Sequence, residues 1–571
     1  MIPRPEFPRP QFYRGEASWI NLNGEWDFEL DLGASGHERR MHEREYTGKI
    51  TVPFAPESKL SGIEYTDFIA ACWYRRRFER PAGFDGKRER LLLHFGAVDY
   101  EATVWVNLQK IGYHMGGYTP FTVDITDVLQ ENNTVCVWAK SDVRSPLQPS
   151  GKQAMRYPNE GCMYTRSTGI WQTVWLERVP RTYIESVRMT PDVANEKLDV
   201  RVTLAGDTEA KTVRATVSYK GEGVAETEAA ICGRSAVFSV PVKNPHLWDI
   251  GKPELYDIRF TCGDDVLDSY FGMRSVELDG YKFLLNGRSV FQRLVLDQGY
   301  YPDGIYTAPN DGALKRDIEL SMSAGFNGAR LHMKIFEPRL IYHADHMGYL
   351  LWGEYPNWGL DTSLNSAMEA ILPEWLEELE RDYSSPAIIG WCPTNEIAPN
   401  RDKRLMTTLY NVTHSFDPYR PVIDSSGYHH VVTDIYDVHN YDQNPENFRK
   451  AFEPLVTGEG EVFVNNPREE KYEGQPYFVS EYGGTRLALN AEGGEGWGYG
   501  DAPKNYEEFY ARLEGLTSAL LENPRICAFC YTQLTDVFQE ENGIFGFDRC
   551  CKFDMERIRG IFSAPAAIEK D

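Results

Sequence analysis

Residues 387–396 read AIIGWCPTNE, an apolar run that ends in two polar residues, Asn395 and Glu396. The run is too short for a helix and has the make-up of a strand buried on both faces. Seven more such runs share the C-terminal half: SVFQRLVLD, GFNGARLHM, GYLLWGEYP, PVIDSSG, DIYDVHNYD, PYFVSEYGG and ICAFCYTQLTD. Between several of them apolar residues recur at intervals of three and four, as in DGALKRDIELSMSA, ILPEWLEELERDY and NYEEFYARLEGLTSALLEN. That spacing predicts amphipathic helices, the first with Asp311 as its N-cap. Eight strand-like runs separated by helices or loops, over about 290 residues, is the count of a (β/α)8 TIM barrel. Polar residues gather at the C-terminal ends of the runs, the face on which such barrels carry active sites.

Upstream, to about residue 270, the pattern is β throughout. GEWDFEL, WYRRRFER, NTVCVWAK and QTVWLERV alternate apolar and polar residues between Gly, Asn and Pro. A break falls at Pro180-Arg181, and shorter strands follow at turn-separated intervals, as in a sandwich of roughly 100 residues. A chain of 571 residues is too long for one core in any case. Lys plus Arg number 60 against 85 Asp plus Glu, a net charge of −25 that disfavours nucleic acid or an anionic membrane as partner. The opening MIPRPEFPRPQFYR lacks the apolar core of a signal peptide, and no run approaches the roughly 20 apolar residues of a membrane span. A cytoplasmic location with reduced cysteines is the expectation. Cys527 and Cys530 have metal-site spacing, but three residues apart on a strand they face opposite ways.

Glu396 closes the fourth run and Glu481, in FVSEYGG, the seventh. Both carboxylates therefore reach the same rim. Hydrolysis of a glycosidic bond asks for such a pair, one to protonate the leaving oxygen and one to attack the anomeric carbon or activate water.

The sequence resembles glycoside hydrolase family 2, the family of β-galactosidases, β-glucuronidases and β-mannosidases. GEWDF, AVDYEATVWVN, TGIWQTVWLE, FGMRSVELDGYKFLLNGRSV and GFNGAR carry the likeness, which runs through nearly the whole chain. It implies a jelly-roll sugar-binding domain at 1–180, an immunoglobulin-like β-sandwich at 181–275 and a catalytic barrel at 276–571. It further implies that Glu396 is the acid/base, Glu481 the nucleophile and Asn395 the partner of the substrate 2-hydroxyl, with retention of configuration. Two carboxyls about 5–5.5 Å apart are then required. Glu396 must also hold a proton at rest, which the negative charge of Glu481 favours. Tyr441 matches a tyrosine that bonds the nucleophile, Arg330 an arginine that orients it, and Glu354 a shared acid that either contacts the sugar or holds the rim together. Trp352, Trp358 and Trp391 stack on sugar or fill the barrel mouth.

Departures from the family bear on the sugar. RLVLDQGYYPDG stands where many members have histidines, making Asp297 and Gln298 candidates for the −1 subsite. His332 lies one place earlier than expected, and a one-residue slip on a strand changes the face. Tyr531 stands where many relatives have Trp. The glucuronidase Asn-x-Lys, whose cation binds the uronate, is replaced by Glu540-Glu541-Asn542, which argues for a neutral sugar, first a β-galactoside. Other family specificities, β-glucuronide, β-glucoside, β-mannoside and α-L-arabinoside, are the alternatives. A non-catalytic carbohydrate-binding protein is disfavoured by the complete catalytic set. No cofactor is implied, and no metal, since the acidic metal-site residues of large β-galactosidases have no counterpart in NEGCMYTRSTG. That loop, with Glu160 and Tyr164, is expected to lean over the barrel mouth. The Gly-rich loop at 491–505 is a candidate lid. The partner is a carbohydrate substrate, and the oligomeric state is open, a homo-oligomer included.

Overall fold

A computed structural model describes residues 2–207, 210–468, 471–487 and 496–570. Residues 491–495 of the candidate lid lie outside it.

Seven parallel strands form one sheet in the spatial order Ile388–Cys392, Leu350–Glu354, Gly328–Leu331, Gln292–Asp297, Ile526–Thr532, Tyr477–Gly483, Tyr436–Asn440. The first strand in sequence pairs with the last, Val295 opposite Tyr531, so the sheet curls. Between its two outer strands runs 421–426, the expected fifth strand PVIDSSG. It forms single bridges, Val422 to Trp391 and Ser426 to Asn395, in place of a continuous ladder. The cause is Asp424, whose carboxylate accepts from the backbone of Val431 at 2.6 Å and Val432 at 3.0 Å and draws the chain into a turn. On its far side Ser426 Oγ donates to Asp437 at 2.7 Å, so a side chain makes the closing contact to Tyr436–Asn440.

Helices Asp311–Ser323, Ala367–Asp382 and Tyr506–Leu521 cover the sheet where the periodicity predicts them. The first is capped by Asn310, whose side chain accepts from Ala313 N at 3.0 Å. Asp311 is its first helical residue, where a negative charge complements the helix dipole.

Residues 19–180 carry a four-stranded and a six-stranded antiparallel sheet. Leu91, Leu93 and Phe95 of the first share one core with Trp26, Val104 and Val137 of the second. Residues 182–271 carry a three-stranded and a four-stranded sheet around another core. Alternate residues of Tyr256–Cys262 are buried there, as a strand with one wet face requires. An irregular segment, 141–168, leaves the first core and reaches the barrel, where Ser150 N donates to Trp358 O at 2.7 Å. Among the described residues no helix is long and apolar enough to cross a membrane.

Candidate active site

Glu396 and Glu481 meet at the C-terminal mouth of the sheet. One oxygen of each and Nδ1 of His439 all lie within 4.8 Å of one another. Glu396 follows its strand in a left-handed conformation, φ 44°, held by its N–H on Ser426 O at 2.9 Å. A non-glycine residue there costs on the order of 1 kcal/mol, and such strain gathers at working sites.

Arg330 organises the floor. It donates to Glu354 Oε2 at 2.8 and 3.0 Å, to Ser480 O at 2.7 Å, to Glu481 Oε1 at 3.3 Å and to Asn395 Oδ1 at 2.9 Å. A guanidinium only donates, so the Asn395 atom facing it must be the carbonyl oxygen. Asn395 Nδ2 is thereby turned away, and it is buried without a partner among the described residues. Burial alone would raise the pKa of Glu481, but the charges of His439, Arg330 and His332 and a hydrogen bond from Tyr441 hold it at about 2. Glu481 is thus ionised across the working range. Tyr441 donates to its Oε2 at 2.6 Å and shares a bond with Thr532 Oγ1 at 3.0 Å. The Tyr441 ring stacks on Tyr499 with centroids 3.5 Å apart, so described residues of the Gly-rich loop line this side of the mouth.

Glu354 is fully buried and spent on Arg330, on His332 at 3.0 Å and on Met333 N at 3.0 Å. It braces the rim, and His332 joins it there.

Strand parity decides the other expected residues. Gln292 faces the barrel interior, where it accepts from Trp352 Nε1 at 2.8 Å. Gln298, six residues on, shares that face, while Asp297 shares the outer face of Arg293. Asp297 is accordingly turned from the carboxylate pair. It accepts from Gly299 N at 2.9 Å, and burial with nearby Asp317 raises its pKa to about 6. Trp352 lies one layer below Glu354 and fills the interior, 6.2 Å from Phe478, beneath the mouth. Tyr531 points outward, 5.2 Å from Phe562 of the last helix, its hydroxyl taking the backbone N–H of Thr485 and Gly484. Its neighbour Thr532 is the strand's inward residue.

Gln298 belongs to a closed ring. Its Nε2 donates to Tyr164 Oη at 2.8 Å and to Gln533 Oε1 at 2.6 Å. Gln533 donates to Asn542 at 2.8 Å, Asn542 to Glu540 at 3.0 Å, and Tyr164 to the other oxygen of Glu540. Tyr164 of 141–168 is thereby fixed over the mouth. Glu160 stays exposed beside Arg156. Gln298 Oε1 is buried and, among the described residues, an acceptor without a partner.

His439 escaped the sequence reading. Its Nδ1 is 2.7 Å from Glu396 Oε1 and 3.3 Å from Glu481 Oε2, and its Nε2 is 3.1 Å from Ser426 Oγ. Ser426 gives its proton to Asp437, leaving a lone pair for Nε2–H. Burial opposes charge on the ring, yet Glu481 and Glu396 outweigh it and raise the His439 pKa. A signal existed: His439 stands two residues before Tyr441, hence on the same strand face. Gly427 makes room, since a Cβ there would lie 2.6 Å from the imidazole. Tyr428, half exposed, stands edge-on to His439 at 6.0 Å and flanks the entrance.

Glu396, His439 and Glu481 are also the three donors grouped closely enough to bracket a metal ion among the described residues. They fit one poorly, because Arg330 and Tyr441 already occupy both oxygens of Glu481.

Two carboxylates face each other across the barrel mouth, one ionised and fixed by arginine and tyrosine, the other beside a titratable imidazole, which is the arrangement hydrolysis of a glycosidic bond requires. Two stretches of the chain match models of family 2 of the glycosyl hydrolases. Residues 182–274 match the family's model "Glycosyl hydrolases family 2", and 47–205 match "Glycosyl hydrolase 2 galactose-binding domain-like". The chain is 25% identical to a β-glucuronidase of Paenibacillus borealis over 70% of this chain and 72% of that one. It is 27% identical to a β-galactosidase of Thermoanaerobacter pseudethanolicus over 62% of this chain and 48% of that one. The chain spans between 41% and 72% of the length of the first relatives it matches. The solved β-glucuronidase of Lactobacillus rhamnosus has the same fold, with a TM-score of 0.81 at 20% identity over 97% of this chain and 98% of that one.

Proposed function

We propose that the protein is a retaining exo-β-glycosidase working by double displacement. The observation that carries this is the approach of Glu396 and Glu481 to within 4.8 Å, the separation of a nucleophile and its acid rather than of a pair that must admit water between them. Ionised Glu481 attacks C1 while Glu396 protonates the glycosidic oxygen, giving a glycosyl-enzyme. Glu396 then takes a proton from water, which displaces Glu481. The unpartnered Asn395 Nδ2 is placed to donate to the sugar 2-hydroxyl, and Gln298 Oε1 to accept from another. His439 lets Glu396 share one proton with a neighbouring base, as a residue that is acid in one step and base in the next requires.

A neutral β-galactoside was expected because Glu540 and Glu541 replace a cation. Both acids are engaged, Glu540 by Tyr164 and Asn542, Glu541 by Arg486 at 2.8 Å. They therefore do not by themselves argue against a charged sugar, and the relatives include enzymes named for both. We read the substrate as a terminal β-galactoside or β-uronide. Product anomers followed by NMR test the mechanism, with the β anomer expected first. Inversion, or an E481A variant that still cleaves activated aryl glycosides at the wild-type rate, would remove Glu481 as nucleophile.

A further inference from the structure

The mouth of the barrel holds a buried cation that no anion contacts among the described residues. Lys152 comes from segment 141–168 and is 7% exposed. Its backbone is clamped on both sides. Gly151 N donates to Pro356 O at 3.2 Å, and Lys152 O accepts from Tyr164 N at 2.8 Å. Gly151 is needed for this approach, because at φ +55° a Cβ would lie 2.4 Å from Met333 O.

The ammonium sits 3.9 Å from the centre of the Trp358 ring. Trp358 Nε1 donates to Asn395 O at 3.2 Å, which ties this cation–π platform to the residue beside Glu396. Among the described residues Lys152 Nζ has no carboxylate within ion-pair distance and no hydrogen-bond acceptor. Burial opposes its charge, but Cys162, Glu396, Glu540 and Glu481 outweigh that and raise its pKa, so it enters the reaction protonated. An ammonium largely withdrawn from water with no counter-charge in contact is costly, and a bound anion relieves that cost.

We propose that Lys152 sets the specificity of the −1 pocket by pairing with a carboxylate on the sugar, so that β-uronides are the preferred substrates. The inference rests on the glycosidase reading above. It places the selecting cation on the N-terminal part of the chain, whereas Glu540 and Asn542 of the barrel are consumed in the ring with Tyr164 and Glu541 is paired with Arg486. If Lys152 merely balanced the fields of Glu396 and Glu481, it would serve charged and neutral sugars alike.

The test compares kcat/KM for the 4-nitrophenyl β-glucuronide, β-galacturonide and β-galactoside in the wild type, K152Q and K152R. The wild type is expected to favour a uronide, and K152Q to lower the uronide-to-galactoside ratio on the order of 100-fold, with K152R keeping part of it. An unchanged ratio in folded K152Q, or a wild type that prefers the galactoside, overturns the proposal and leaves the catalytic assignment standing. Absence of turnover with every β-glycoside would overturn both. Should K152Q not fold, product inhibition of the wild type decides: free uronate must compete at least about tenfold better than galactose, and equal competition sinks the idea.

Discussion

The imidazole Nδ1 of His439 lies 2.7 Å from Glu396 Oε1, a bond joining the proposed proton donor to a base that also faces the nucleophile. His439 stands first among the groups that hold Glu481 at about 2 against its burial. Removing it should therefore let the Glu481 carboxyl rise toward its ordinary range. In H439Q the acid limb of the pH profile of kcat/KM is expected to move upward by one unit or more, with kcat down about 10- to 100-fold. An acid limb that stays in place would show that Arg330 alone sets the nucleophile.

Arg330 bonds Glu354, Ser480, Glu481 and Asn395 at once, a planar fork that lysine cannot copy. R330K should lower kcat at least about 100-fold, and R330M should also destabilise the fold by roughly 3–5 kcal/mol by leaving Glu354 buried without a cation. Urea denaturation and steady-state kinetics on the two variants separate these effects.

Tyr164 supplies one of the two bonds to buried Glu540. Y164F keeps the ring volume and deletes the donor, at a cost of about 1–3 kcal/mol. KM should rise more than kcat falls, since the change loosens the loop over the pocket without touching either catalytic carboxylate.

Four buried carboxyls lie at seams of the structure, and burial raises each: Glu57 to about 8, and Asp99, Asp345 and Glu374 to about 7. A raised acid stabilises the fold fully below its unfolded pKa of about 4, and the benefit is lost as pH climbs through the folded value. Glu481, depressed to about 2, acts oppositely and only below about 4.5. Tm should therefore be highest near pH 5 and decline steadily toward pH 8. Calorimetry at unit steps of pH checks this, and a Tm rising across that interval contradicts it.

Much of this was legible in the residues. Period and count mark the strands and helices of the C-terminal half, because hydrophobic alternation is set by local geometry. The pairing of Glu396 with Glu481 follows from their strand ends. Parity, applied strictly, would also have turned Asp297 and Tyr531 outward and brought His439 and Thr532 inward. What strand patterns could not give is Lys152. It lies in an irregular segment, and its position depends on contacts with Pro356 and Trp358, some 200 residues away in sequence. PVIDSSG reads as a strand, but only the folded chain reveals Asp424 competing for the backbone.

The ring through Gln298, Tyr164, Glu540, Asn542 and Gln533 joins two parts of the chain into one wall. One of its five members is contributed by the irregular segment 141–168 and four by the barrel, so neither part presents a finished pocket. A barrel produced without the first 180 residues would keep Glu396 and Glu481, the proposed catalytic pair, yet bare Glu540 and lose Lys152. With Lys152 as the selecting cation proposed above, exchanging one loop of the N-terminal part would change the sugar preference and leave Glu396 and Glu481 untouched.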